Sequence, residues 1–124
     1  MDESSLLLRQ IPHSIEAEQS VLGAMLIDAR CIPDVVEALT GEDFYLKANR
    51  EIYETIYTMF NFSATIDPVT VLDQMKLTGV YDENTSRSYL LQLMEITPTA
   101  ANVKEYIRIV KDKALLRRIA ETAG

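Results

Sequence analysis

The fold of this chain is decided by the stretch from Lys47 to Phe62, KANREIYETIYTMFNF. Its apolar side chains recur at helical spacing and are Ile52, Tyr53, Ile56, Tyr57, Met59 and Phe60. The opposite face is predicted to be polar and carries Asn49, Arg50, Glu54 and Thr58. This period is typical of an amphipathic α-helix that packs one face on a core. Because the stretch contains neither glycine nor proline, we expect one unbroken helix.

Start and stop signals predict further helices in the rest of the chain. Ser14 is a suitable N-cap, Asp67 followed by Pro68 opens a later helix, and Gly79 ends that helix. Three side chains of this later helix are predicted to be buried, namely Val69, Leu72 and Met75. The expected helices lie near residues 15–28, 33–39, 47–62, 68–78 and 86–96, and a last helix starts between Thr99 and Asn102 and runs to the end of the chain. No segment alternates like a strand, so the predicted fold is all-α, a compact multi-helix orthogonal bundle with a long final helix.

The long final helix changes its apolar face along its length. The first face consists of Val103, Tyr106, Ile107, Val110 and Ala114. A rotated face continues with Leu115, Leu116, Ile119, Ala120 and Ala123. A basic ridge is formed by Lys104, Arg108, Lys111 and Arg118. A helix that stays apolar beyond its own bundle needs a second surface, so we expect this chain to be part of a longer protein.

Composition and charge limit the classes of function. The chain has 124 residues, of which 48% are hydrophobic and 25% are charged, a globular balance. No apolar run approaches the roughly 20 residues that cross a membrane, and the acidic start carries no export signal. The single cysteine, Cys31, predicts no internal disulfide, and a cytoplasmic location is expected.

The net charge of −7 is unevenly distributed. Residues 1–101 carry sixteen acidic and six basic side chains, a balance of −10, whereas residues 102–124 carry three and six, a balance of +3. An acidic body is repelled by phosphate, so DNA contact is expected to be weak or indirect.

Residue types that support catalysis are sparse. The four glycines are isolated and form no phosphate-binding loop, so no nucleotide, metal or other cofactor is expected in this segment. His13 could be a general base, but a capping or solvated histidine is favoured. Glu51 and Glu54 could form a carboxylate pair, but a solvated helix face is favoured. Cys31 could be a reactive thiol, but a small core residue is favoured.

Five blocks of sequence together resemble one known family. They are IPHSIEAEQSVLGAMLID (11–28), EDFY (42–45), IDPVTV (66–71), SYLLQL (88–93) and TPTAANVKEYIRIVKDKALLRRI (97–119). In this order and spacing they resemble the N-terminal domain of DnaB-type bacterial replicative helicases. The resemblance implies a loose tail at 1–10, a helical head at 11–98, and the first helix of a helical hairpin at 99–124.

The resemblance also implies a function and partners. The family's full protein is a hexameric helicase moving 5′ to 3′, whose absent RecA-like motor domain uses ATP and Mg. Its N-terminal domains form a collar, a trimer of dimers, that docks the C-terminal domain of a DnaG-type primase and communicates with a helicase loader. The segment itself is expected to be non-catalytic.

Several residues are predicted to contact partners on the basis of this resemblance. They are Glu16, Tyr89, Tyr106, Val110, Leu116, Ile119 and Ala120. The alternative for Glu16 is a helix N-terminal acid, and for Tyr89 and Ile119 a core position. The ridge of Lys104, Arg108, Lys111 and Arg118 is expected to face acidic protein surface or solvent, with single-stranded DNA as the alternative.

Two other classes of function stay open at this point. A small stand-alone helical enzyme would use paired carboxylates, and its reading frame would stop at Gly124. A small helical DNA-binding regulator would bind duplex DNA at physiological salt, although the acidic body argues against it.

Overall fold

The computed structural model describes residues 11–123, with side chains described as far as Glu121. Within that range the chain is helical and has no strand, which confirms the all-α prediction. The predicted tail at 1–10 lies outside the described residues. The α-helices are α1 (Ile15–Ile27), α2 (Ile32–Ala38), α3 (Lys47–Asn61), α4 (Pro68–Thr78), α5 (Ser86–Glu95) and α6 (Val103–Ala123). Short 3-10 helices at Ala29–Cys31 and Gly41–Asp43 precede α2 and α3.

The helix ends are set by local hydrogen bonds that the sequence signals predicted. The Ser14 hydroxyl accepts from the Ala17 amide at 3.2 Å and caps α1. At the start of α4, Asp67 and Thr70 each accept from the other's backbone amide at 2.9 Å, which forms a capping box. Gly79 ends α4 with φ +80, a left-handed conformation that suits glycine.

Helix α1 is the central element of the head. It packs against α6, α5 and α3, and every residue from Val21 to Leu26 is buried. A helix that is apolar on all sides suits a fully enclosed position. The contact with α5 is close at Gly23, where an added methyl group would overlap the Leu93 carbonyl and the Thr97 hydroxyl.

Two predicted helix faces are wrong in detail. Val69 was predicted to be buried but is exposed, and Val71 occupies the core position of α4 instead. Asn49 was predicted on the polar outer face of α3 but is fully buried. Its amide has hydrogen-bond partners on other helices, which a pattern within one helix does not reveal. None of the helices within 11–123 is both long enough and apolar enough to span a membrane.

Candidate partner-binding surface

Helix α6 divides into an inner and an outer part at Ala114. The inner part is buried against the head through Val103, Ile107, Val110 and Ala114. In the outer part, Leu115, Leu116 and Ile119 are 46%, 47% and 63% exposed. The predicted change of face therefore corresponds to a change from core to surface. Three large apolar side chains on one exposed stretch are a candidate protein-binding surface.

The structure separates the predicted contact residues on α6. Leu116, Ile119 and Ala120 are exposed, as a partner contact requires. Val110 is only 2% exposed, so the prediction that it contacts a partner is corrected: it belongs to the core of its own chain. Tyr106 is half-buried and packs against the same core.

The predicted basic ridge does not form one free surface. Lys104 is exposed, and Arg108 pairs within α6 with Glu105 and, at 2.9 Å, with Asp112. Lys111 and Arg118 instead pair with Asp43, at 3.5 Å and 2.6 Å. Both side chains therefore contact the head of their own chain and remain about 40% exposed, so the expectation that they face a neighbouring subunit, DNA or solvent is corrected only in part.

Asp43 is the centre of the junction between the head and α6. Its carboxylate is fully buried and also accepts from the Thr40 amide at 2.8 Å. Its carbonyl accepts from the Arg117 guanidinium at 2.7 Å, and the same guanidinium donates to the Pro12 carbonyl at 2.9 Å. Asp43 and Arg117 were not among the predicted site residues, because their contact joins positions 74 residues apart in the chain.

A second buried carboxylate, that of Glu18, organises the start of α3. It accepts from the Tyr45 and Leu46 amides at 2.8 Å and 3.4 Å and from the Asn49 side-chain amide at 3.0 Å. The α3 N-cap residue, Leu46, has no side-chain acceptor of its own. Glu18 therefore supplies from α1 the negative charge that a helix N-terminus favours. Glu16 was the predicted contact residue in this segment, whereas the role of Glu18 depends on α3, which a pattern within α1 does not reveal.

The hydroxyl of Tyr89 joins the same network from α5. It donates to the Asn49 side-chain oxygen and accepts from the Gln19 amide at 3.3 Å. Burial raises the pKa of the Tyr89 hydroxyl, and the nearby Glu18 charge raises it further. Tyr89 is therefore half-buried with a structural role, whereas Glu16 is exposed on the opening turn of α1.

A cavity of about 550 Å³ lies beside this network, between α3, α4 and α5. Its wall includes Gln19, Tyr89, Ile52 and Met75. The ring of Tyr89 thus joins a buried polar network to an open cavity. Part of the Tyr89 side chain is therefore accessible from the cavity.

The contacts of Cys31 and His13, the remaining candidates for chemistry, fit structural roles. Burial, with Asp28 nearby, raises the pKa of the Cys31 thiol to about 11, which fits an unreactive core cysteine. The His13 ring stacks on Tyr45 at 4.4 Å and lies 2.7 Å from the Ile11 carbonyl oxygen. Among the described residues no group of three His, Cys, Asp or Glu side chains could hold a metal ion.

The sequence profile of the family described as "DnaB-like helicase N terminal domain" matches residues 10–112. The chain belongs to this family. The replicative DNA helicase DnaB of Leifsonia xyli subsp. xyli is 39% identical over 113 residues, which are 91% of this chain and 25% of that protein. This DnaB-like N-terminal domain thus spans about a quarter of the length of that curated relative.

Solved structures agree with the fold of this DnaB-like domain. The N-terminal domain of DnaB helicase from Mycobacterium tuberculosis is similar with a TM-score of 0.86 and 39% identity, over 92% of this chain and 83% of that one. The N-terminal domain of DnaB helicase from Helicobacter pylori, described with its interactions with primase, has a TM-score of 0.73. At 20% identity over 99% and 93% of the chains, it supports the fold alone.

Proposed function

We propose that this DnaB-like N-terminal domain is a non-catalytic assembly and docking module of a hexameric replicative DNA helicase. Unwinding in the 5′ to 3′ direction would be driven by ATP and Mg in a RecA-like motor domain of the full protein. The observation that carries the proposal is the exposed apolar surface of Leu115, Leu116 and Ile119 on α6. A surface of this kind is suited to binding protein.

Self-association would cover that surface. Burying a large aliphatic side chain contributes about 1.5–3 kcal/mol, so covering the exposed fractions of these three side chains contributes about 2–5 kcal/mol per subunit. This gross gain is opposed by the loss of translational and rotational freedom, so further contacts are needed for a stable dimer. In the full ring we expect dimers of this domain to form a trimer of dimers.

Docking of a DnaG-type primase through its C-terminal domain is the second part of the proposal. It is supported by the family membership, and the Helicobacter pylori relative was described with its interactions with primase. On this chain, exposed Glu16, the accessible part of Tyr89 and the outer residues Leu116, Ile119 and Ala120 are the proposed contacts.

A helicase loader is a further proposed partner, while contact with DNA is proposed to be weak or indirect. The acidic balance of residues 1–101 opposes phosphate binding. In addition, Arg108, Lys111 and Arg118 are engaged by carboxylates of the same chain.

Size-exclusion chromatography with light scattering tests the proposal, with and without the C-terminal domain of a DnaG-type primase. We expect a concentration-dependent dimer and a primase complex, both weakened at least about tenfold by Ile119→Asp because a charge replaces an apolar contact. Leu77→Asp is the matched control, since Leu77 is an apolar residue on α4 that is 75% exposed, against 63% for Ile119.

Glu16→Lys should weaken primase binding and leave self-association unchanged, because Glu16 lies on the head rather than on α6. A domain that stays monomeric at high concentration and does not bind primase would refute both parts. Equal effects of the Ile119 and Leu77 variants would refute the assignment to the outer surface of α6.

A further inference from the structure

The outer part of α6, residues 115–121, is attached to the head without a buried side chain of its own. Core burial along α6 ends at Ala114, and each residue from 115 to 121 is exposed or half-buried. This outer part nevertheless contacts the 3-10 helix Gly41–Asp43 through Arg117 and Arg118. Polar contacts must therefore hold it in place.

These polar contacts converge on Asp43. Arg118 and Lys111 bind its two carboxylate oxygens, and Arg117 donates to its carbonyl. Arg117 also lies over the Tyr45 ring, 5.4 Å from the ring centroid. Three cationic side chains of α6, Lys111 from its inner part and Arg117 and Arg118 from its outer part, thus meet one short segment of the head.

The carboxylate of Asp43 differs from an ordinary surface partner because it is fully buried, whereas the cations are about 40% exposed. A buried charge is unfavourable unless cations and hydrogen-bond donors surround it. The Thr40 amide supplies one hydrogen bond from the head, and α6 supplies the positive charge. Displacing the outer part of α6 would take Arg118, at 2.6 Å, away from the carboxylate and leave it with Lys111 at 3.5 Å, so the arrangement favours the attached position.

We propose that Asp43 anchors the outer part of α6 to the head. Removing the charge of Asp43 releases this part while the head stays folded. Asp43 is thereby a positioning residue, which sets the direction in which Leu116 and Ile119 face. The effect on partners rests on the proposed function, whereas the release of the helix does not.

Hydrogen exchange of the backbone amides in the whole chain tests the release directly. In Asp43→Asn we expect amides 115–119 to exchange at least about tenfold faster than in the unchanged protein, because the local opening becomes easier. Amides of α3 from Ile52 to Met59 should exchange at the original rate, since the core around them is intact. Asparagine keeps one oxygen for the Thr40 amide, and it replaces the charged oxygen that faces Arg118 with an uncharged NH₂ donor.

Asp112→Asn is the matched control. It removes an identical charge from α6 itself, where Asp112 is exposed and pairs with Arg108. Amides 115–119 should exchange no faster in this variant than in the unchanged protein. Equal exchange of these amides in the Asp43 and Asp112 variants would overturn the proposal.

If the α3 amides also exchange faster in the Asp43 variant, Arg118→Gln provides the test instead. This variant removes the ion pair between Arg118 and Asp43, and it leaves the buried carboxylate with Lys111 and the Thr40 amide as partners. Faster exchange confined to 115–119 supports the proposal, and unchanged exchange overturns it. Because exchange is measured without a partner, failure of primase binding or dimerisation would not alter these outcomes.

Discussion

Replacing Glu18 with glutamine should destabilise the head far more than its conservative chemistry suggests. Three donors face this buried carboxylate: the Tyr45 amide, the Leu46 amide and the Asn49 side chain. Glutamine offers one acceptor oxygen and one NH₂ group. At least one buried donor would then lose its acceptor and face another donor.

The size of the effect follows from these contacts. A hydrogen bond to a charged group contributes about 1.5–3 kcal/mol, and a buried donor left unsatisfied costs about 1–3 kcal/mol. We therefore expect Glu18→Gln to lower the free energy of unfolding by about 2–4 kcal/mol. For a protein of this size the urea midpoint should fall by about 1–3 M.

Glu16→Gln is the comparison that makes the experiment decisive. Glu16 belongs to the same helical turn but is exposed, so only its interaction with the helix dipole is lost, about 0.5 kcal/mol. Urea unfolding followed by far-ultraviolet circular dichroism measures both variants. If their midpoints coincide, the role assigned to Glu18 at the start of α3 is refuted.

Three further predictions concern stability and reactivity. Gly23→Ala should destabilise the head by about 1–3 kcal/mol, because the new methyl group overlaps the Leu93 carbonyl. An unchanged midpoint temperature of thermal unfolding would contradict this overlap. Ser63→Gly should stabilise the protein by about 0.5–1 kcal/mol, because Ser63, which follows the C-cap residue Phe62 of α3, has φ 55. A lower urea midpoint would contradict this prediction. The Cys31 thiol, whose pKa is raised to about 11, should react with a disulfide reagent at pH 8 at least about tenfold more slowly than an unfolded thiol. Unfolding in urea should remove the difference, and equal rates before and after unfolding would contradict the burial of Cys31.

Local signals predicted the helices of this chain well. Ser14, Asp67, Pro68 and Gly79 act within one or two turns of their own helix, so their effect is readable from neighbouring residues. The all-α class and the change of face on α6 followed from the same short-range pattern. The predicted role of the segment in primase docking and ring assembly remains a proposal.

The errors arose where a side chain depends on a distant partner. Asn49 was assigned to solvent because it is polar, yet its amide donates to Glu18, 31 residues earlier. Arg118 was assigned to an open ridge, yet it pairs with Asp43, 75 residues earlier. A helical period identifies which residues share a face, but it does not identify what that face meets.

The enclosed position of α1 has a consequence for synthesis on the ribosome. This helix is synthesised before the other described α-helices, yet α6, which packs against it, buries its Val110 more than 80 residues later in the chain. At about 5–20 residues per second, the apolar helix emerges roughly 4–17 seconds before that cover is available. During translation the nascent chain therefore presents an unshielded apolar segment, Val21 to Leu26, to the chaperones that bind such segments.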